Sequence, residues 1–351
     1  MITFKDRSHN DITGDIQAPS VLFQNDAYNR GEITANCTFT NNAYNYLNGQ
    51  ITGDCSFADN ANNGAMNGQP RITYQTIDDP QINGNCIFGN NSENQGTINL
   101  PNMGGTCTFN DSSRNVSGYV SHQGGNPTTT VTFNTGTGNG NAFETTISYV
   151  LADNVIFNSA NNYGDVTAYT LCKFNTYGSN NPSAKITGNC EFNDICNNLG
   201  AITASECTFN DTSFNGGGDT NNPVTITNCI FNDTSSNGGI EGTTSYNGNI
   251  TGSVTFNGSS TNSKINGGSG SITGSATFNT SSSNLPQGTI SQDAEFNNSS
   301  INHGVVQGNG TFNNDSTNNG TVDGNATFNG SSDQLGTVNG TTTCNTTGTC
   351  P

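Results

Sequence analysis

Between Phe296 and Gly340 the chain copies itself three times without slack: FNNSSINHGVVQGNGT, FNNDSTNNGTVDGNAT, FNGSSDQLGTVNGTTT. A repeat fixed at 16 residues is too short to fold alone, so its apolar side chains must be buried by stacking one copy on the next. The template reads F-N-x-x-S-x-N-x-G-x-V-x-G-x-(A/G)-x. Looser copies recur along the chain, anchored at Phe23, Phe39, Phe57, Phe88, Phe109, Phe133, Phe157, Phe174, Phe192, Phe209, Phe231, Phe256, Phe278, Phe296, Phe312 and Phe328.

Apolar or small residues fall at −6, −4, −2 and 0 relative to each Phe, as in Ile186, Gly188, Cys190 and Phe192. That alternation predicts a β-strand with one buried face. Gly at the inward −4 position implies a close approach of backbone from the opposite wall. Beyond the Phe, the next residue is Asn in 12 of 16 copies and the sixth is Asn in 14 of 16. Asn tolerates left-handed backbone, so these positions are expected to be corners, with their amides stacking into ladders along the axis. A Gly about two residues later, such as Gly304 or Gly320, closes a second turn. The expected fold is therefore all-β, a single-chain β-solenoid of about 16-residue coils. Each coil has one strand anchored by Phe and two Asn/Gly corners. With ~4.8 Å between coils, about seventeen of them would make a rod on the order of 80 Å long. Phe278, Phe296, Phe312 and Phe328 are its best-defined core anchors.

Spacing irregularities point to insertions. They are expected between the second Asn and the next Ile/Val, all leaving one edge: Gly64 to Gln81, Val116 to Pro127, Gly138 to Tyr149, Gly216 to Pro223, Gly239 to Asn249 and Ser263 to Ser271. The longest spacing, Phe57 to Phe88, is nearly two periods, and Ile72 with Tyr74 is read as a degenerate coil. Residues 1–20 do not fit the template and are taken as an N-terminal cap or attachment segment, with the solenoid over 21–340 and a C-terminal cap over 341–351.

Composition narrows the chemistry. Hydrophobic residues make up 30% and charged residues only 10%, while 44 Gly accompany abundant Asn, Ser and Thr. This is a turn-rich repeat composition, distinct from the charged, Pro-rich signature of disorder. With a net charge of −18 and scattered basic residues, the chain lacks the clustered cationic face that phosphate backbones require, so nucleic acid is not an expected partner. The opening MITFKDRSHNDITGD has no apolar core of a classical signal peptide, and no apolar run is long enough for membrane insertion.

Eight cysteines (Cys37, Cys55, Cys86, Cys107, Cys172, Cys190, Cys207, Cys229) stand two before the Phe, where other copies place Val or Ala. They read as small buried hydrophobes, with stacked pairs within reach of disulfide formation on oxidation. Cys344 and Cys350 read as a disulfide clasp in an oxidising medium. No catalytic residues, metal ligands or cofactor motif are assigned. His9, His122 and His303 are too far apart to form a set, Cys/His clusters with zinc spacing are missing, and glycosidase chemistry would need a pair of facing carboxylates. Candidate partner-binding residues sit in the insertions: Arg71, Tyr74, Tyr119, His122, Tyr149 and Tyr246, where Tyr offers a flat apolar face with a hydroxyl suited to carbohydrate rings or a partner protein.

The run TFNNDSTNNGTVDGNATFNGSS resembles the low-complexity β-solenoid repeats of phage tail fibres and large bacterial surface adhesins. The resemblance is architectural, covers about residues 21–340 and transfers no active-site residues. It implies a non-enzymatic fibre or spike on a virion or extracellular surface, a homotrimer among the assemblies it allows. Other virion proteins and host-surface carbohydrate would be the partners. A capsid decoration or extracellular filament protein is the alternative. An ice-binding solenoid is another, suggested by outward Thr38, Thr108, Thr132, Thr255, Thr277 and Thr327 but interrupted by Ile87, Lys173, Glu191, Ile230 and Glu295.

Overall fold

The structure, a computed structural model, describes residues 1–64, 79–101, 104–122, 128–140, 148–217, 223–241, 244–264 and 268–350. The chain divides into two compact units, Met1–Cys172 and Lys173–Pro351. Each is a β-solenoid in which a coil hydrogen-bonds in parallel register to the coils before and after it.

In the first unit, Phe4, Phe23, Phe39, Phe57, Phe88, Phe109, Phe133 and Phe157 stack ring on ring, with centroids 4.7–4.9 Å apart and planes within 3–9°. In the second, Phe174, Phe192, Phe209, Phe231, Phe256, Phe278, Phe296, Phe312 and Phe328 do the same at 4.6–5.0 Å. All of these rings except Phe4 are buried. Parallel in-register strands place identical side chains about 4.8 Å apart, which imposes this near-parallel stacking on the rings. The Ile/Val row stacks beside them: Ile33, Ile51, Ile82, Ile98 and Val120 in the first unit, and Ile250, Ile272, Ile290, Val306 and Val322 in the second.

Each coil has more strand than the sequence suggested. The Phe-anchored segment is commonly broken into two, as in Lys185–Thr187 and Cys190–Phe192, and a two-residue strand such as Asn197–Asn198 forms another wall. The break lies at the −4 Gly. Its cause is the neighbouring coil, not the opposite wall: a Cβ on Gly53 would overlap the carbonyl oxygen of Ala35, and one on Gly84 that of Gly53. Gly252 adopts φ +139°, and a Cβ there would overlap the Ile226 carbonyl oxygen. Gly252→Ala should therefore destabilise the second unit by about 1–3 kcal/mol, read as a lowered urea midpoint with unchanged slope.

The left-handed corner sits two residues after Phe. There Asp6, Asn25, Asn41, Asp59, Asn90, Asp111, Asp194, Asp211, Asp233, Asn298 and Asn314 all have φ between 56° and 62°, the region that Asn and Asp tolerate best among residues with a Cβ. Several of these carboxylates also accept the corner N–H of the preceding coil, Asp194 from Thr176 at 3.1 Å and Asp211 from Asp194 at 3.0 Å.

The sixth-position Asn is thus no corner residue. It lies on the two-residue strand, points inward and is buried. In the first unit, each Nδ2 donates to the Oδ1 of the next coil from Asn10 through Asn29, Asn45, Asn63, Asn94, Asn115 and Asn139 to Asn162, at 2.8–2.9 Å. In the second, the same ladder runs from Asn180 to Asn318 and ends on Gln334 Oε1, at 2.7–3.0 Å. Gln334 then turns its Nε2 to the Gly336 carbonyl. A second ladder, made by the Asn that follows each Phe from Asn175 to Asn329 and closed by Asn345 after Cys344, donates in the opposite direction, from each coil to the one before it.

Three further expectations change. Residues 1–20, set apart by their sequence, carry a coil of the stack: Ile2–Lys5 pairs with Val21–Gln24, Phe4 stacks on Phe23, and Asn10 opens the amide ladder. No coil intervenes in the longest spacing, because Ile51 pairs directly with Ile82 and Phe57 with Phe88; Ile72 and Tyr74 themselves lie outside the described residues. Insertions also leave from two places in the coil, not one. Ile98 and Val120 hold register with Ile82, while Cys107 and Val131 hold register with Cys86, so in these two coils the extra residues fall at the −4 break.

Candidate functional site

The outward positions of one wall of the first unit bring two candidate residues together. Gln81–Asn83, Thr97–Leu100, Tyr119–His122 and Tyr149–Asn158 run parallel, with Thr97 opposite Tyr119 and Tyr119 opposite Tyr149. Their inward partners Ile82, Ile98, Val120 and Val150 are buried, which fixes the alternate side chains outward. Tyr119 and Tyr149 are 40% and 42% exposed, with ring centroids 6.2 Å apart and planes at 52°. They were expected on loops. They stand on sheet strands, as does the backbone of His122, because Val116 to Pro127 contains a strand within what the spacing marked as an insertion.

Two residues further along the first three of these strands runs a polar row of Asn83, Asn99 and Ser121, and Leu151 holds that place on the fourth. Asn99 Nδ2 donates to Asn83 Oδ1 at 2.9 Å, and Ser121 Oγ donates to Asn99 Oδ1 at 3.5 Å. Apolar ring faces beside the half-buried amides of Asn83 and Asn99 can adsorb a flat, hydroxyl-bearing ligand or a partner's mixed surface. Among the described residues, the arrangement brings no nucleophile and base together.

Of the remaining candidates, Arg71, Tyr74 and the side chain of His122 lie outside the described residues. Tyr246 is half-buried in an antiparallel hairpin of Gly239–Glu241 with Thr244–Tyr246, and its ring lies 6.0 Å from that of Phe214, so it packs towards the coil before its own hairpin. Cys344 and Cys350 are disulfide-bonded, with Cα atoms 6.3 Å apart, and Cys344 stands in register with Phe328 where another Phe would complete the stack. Cys190 and Cys207 form a second disulfide between neighbouring coils.

Sequence reading missed an aromatic cluster in the first three coils. His9, Tyr28 and Tyr44 stack at 4.6 and 5.2 Å, with Tyr46 set edge-on to both tyrosines. The signal was present: all three stand five residues after an anchor Phe, once Phe4 is counted as one. Burial, with Tyr28, Tyr46 and Asp26 nearby, pushes the Tyr44 phenol above its usual range, so this ring stays a neutral packing element. The outward threonines Thr255, Thr277, Thr311, Thr327 and Thr343 also share one register row, interrupted by Glu295.

Stacked parallel coils, continuous Phe stacks and amide ladders define each unit as a β-solenoid repeat structure. Comparison with protein-family models, with curated proteins and with solved structures finds no match to this chain.

Proposed function

We propose that this chain is a non-enzymatic structural element of a fibre or spike on a virion or extracellular surface, presenting a lateral aromatic face to host-surface carbohydrate. The observation that carries the reading is the commitment of each coil's interior to stacking: a Phe, an Ile or Val and a hydrogen-bonded amide repeat in register through each unit. Such a body resists bending and keeps outward side chains at fixed intervals, which suits a carrier of repeated weak contacts. Resemblance of the repeat to phage tail fibres and surface adhesins supplies the virion setting. Tyr119 and Tyr149 supply the contact, since aromatic faces carry much of the energy of partner surfaces.

Cryo-electron microscopy of the particle that carries the chain tests the setting. Separate projections with the Tyr119/Tyr149 face open support a fibre, whereas a continuous lattice with that face buried makes the chain a capsid decoration or filament subunit. For the contact, the Tyr119→Ala/Tyr149→Ala double variant should lose at least about tenfold in retention on glycan arrays or host cells, about 1.4 kcal/mol. Its melting temperature should stay within a degree or two, because both rings face outward. Full retention would remove this face from the proposal.

A further inference from the structure

Four cysteines of the first unit form one column. Cys37 pairs in register with Cys55, Cys55 with Cys86, and Cys86 with Cys107. All four are buried. Cys37, Cys55 and Cys86 share an orientation, each thiol aimed at the carbonyl two residues back in its own coil, at 3.6, 3.8 and 4.0 Å. In the second unit the same position in the coil shows what such neighbours can do: Cys190 and Cys207, in register two before their Phe anchors, are bonded with Cα atoms 4.6 Å apart. Register sets the same neighbour spacing in the first unit, within the Cα range that a disulfide spans.

We infer that Cys37–Cys55 and Cys86–Cys107 are disulfide-forming pairs, closed as the coils assemble by a disulfide donor such as oxidised glutathione or a thiol–disulfide oxidoreductase. In the second unit the bonded pair Cys190–Cys207 closes 17 residues and leaves Cys229, in register with Cys207, as a free thiol, so short separation and not completeness of pairing marks the bonded neighbours. The alternative, Cys55–Cys86, must close a separation of 31 residues, against 18 and 21 for the proposed pairs. In each pair one thiolate attacks a donor sulfur, forming a mixed disulfide and releasing one donor thiol. The second thiolate then attacks the protein sulfur, forming the intramolecular bond and releasing the other donor thiol. Two electrons and two protons leave the pair, and the donor disulfide is reduced to two thiols. Burial holds the thiols of Cys55, Cys86 and Cys107 well above their usual range, so thiolate is scarce once the coils have closed. Oxidation therefore belongs to folding, and the finished reduced protein should react far more slowly. The inference is independent of the fibre reading; it requires only that the chain meets an oxidant while folding.

The test is refolding of the reduced full chain in a glutathione redox buffer, followed by acid quench, alkylation under denaturing conditions and peptide mapping. Cleavage after Phe39, Phe57, Phe88 and Phe109 places each cysteine of the column in its own peptide. Expected are linked peptides for Cys37–Cys55 and Cys86–Cys107, with alkylated Cys172, Cys196 and Cys229. The exposed Cys344–Cys350 bond reports that the donor has acted. Four alkylated column thiols beside a closed Cys344–Cys350 bond would overturn the inference, as would a Cys55–Cys86 link. Cys55→Ser should leave Cys37 alkylated and Cys86–Cys107 intact; a new Cys37–Cys86 link would also overturn it.

Discussion

Phe312→Ala should lower the stability of the second unit by about 3–5 kcal/mol, measured as a loss of chemical denaturation midpoint on the full chain. Phe312 is fully buried, and both ring faces are covered, by Phe296 at 4.9 Å and Phe328 at 4.8 Å. The alanine therefore removes the largest side chain of its coil and leaves a gap between two rings held in place by their own backbone ladders. Gly310 lies against the Phe312 ring, where a Cβ would come within 2.9 Å of Cε2; the ring fills the room that this Gly leaves. Because a coil is bonded only to its neighbours, weakening one interior coil divides a cooperative stack. Phe312→Leu keeps most of the apolar volume and should recover at least half of the loss. A Phe312→Ala chain with an unchanged midpoint would show that the Phe column is not what holds the coils together.

Much of this was legible because the strongest letters of the repeat are those with the least freedom. Phe is spaced by the ladder and buried on every side, so no other residue fills its place before Cys344, and its period revealed both the solenoid and the inward face. The sixth-position Asn was equally visible, but its role was read in reverse. A left-handed corner accepts Asp, Asn, Ser, Thr or Gly, and all five occur two residues after Phe, as Asp194, Asn298, Ser159, Thr280 and Gly258. No single letter marks that corner. A buried ladder needs donor and acceptor on one short side chain, which Asp and Ser cannot offer in an amide's geometry. The constancy of Asn was therefore a sign of burial.

The rest was hidden by counting from the anchor. Tyr119 lies 14 residues before Phe133 and Tyr149 only 8 before Phe157. Residues inserted at the break between them and their anchors conceal that the two are register partners. The same offset hid Ile98 and Val120 as members of the Ile/Val row. Backbone pairing restores the alignment because a one-residue slip would turn every inward side chain outward, a constraint that spacing alone does not express. Phe4 escaped notice for a related reason. Too few residues stand before it to show the inward pattern at −6 and −4, although Asn10 stands six after it, and pairing with Phe23 identifies Ile2–Lys5 as a strand of the stack.

Removing one rung of the inner amide ladder should cost nearly as much as removing a ring. Asn302 accepts from Asn284 Nδ2 at 2.8 Å and donates to Asn318 Oδ1 at 2.9 Å, and all three residues are fully buried. Asn302→Ala deprives a donor on one side and an acceptor on the other of their partners in a place water does not reach. At about 1–3 kcal/mol for each group left unsatisfied, the loss comes to about 2–5 kcal/mol. Asn302→Asp separates hydrogen bonding from volume. Its carboxylate can accept from Asn284 but faces the Asn318 oxygen without a proton to give. Burial and that facing oxygen raise its folded-state pKa above the unfolded carboxylate value, so the folded state binds the proton more tightly than the unfolded chain. The variant is therefore least stable, relative to the parent, above the folded pKa. It regains stability as pH falls through that value toward the unfolded one, where the protonated acid can donate to Asn318. Denaturation midpoints of parent and variant, compared between pH 7 and about pH 4, should converge on acidification. A pH-independent gap would mean the carboxylate has turned out to solvent, and that the ladder is a consequence of strand register and not one of the forces that maintain it.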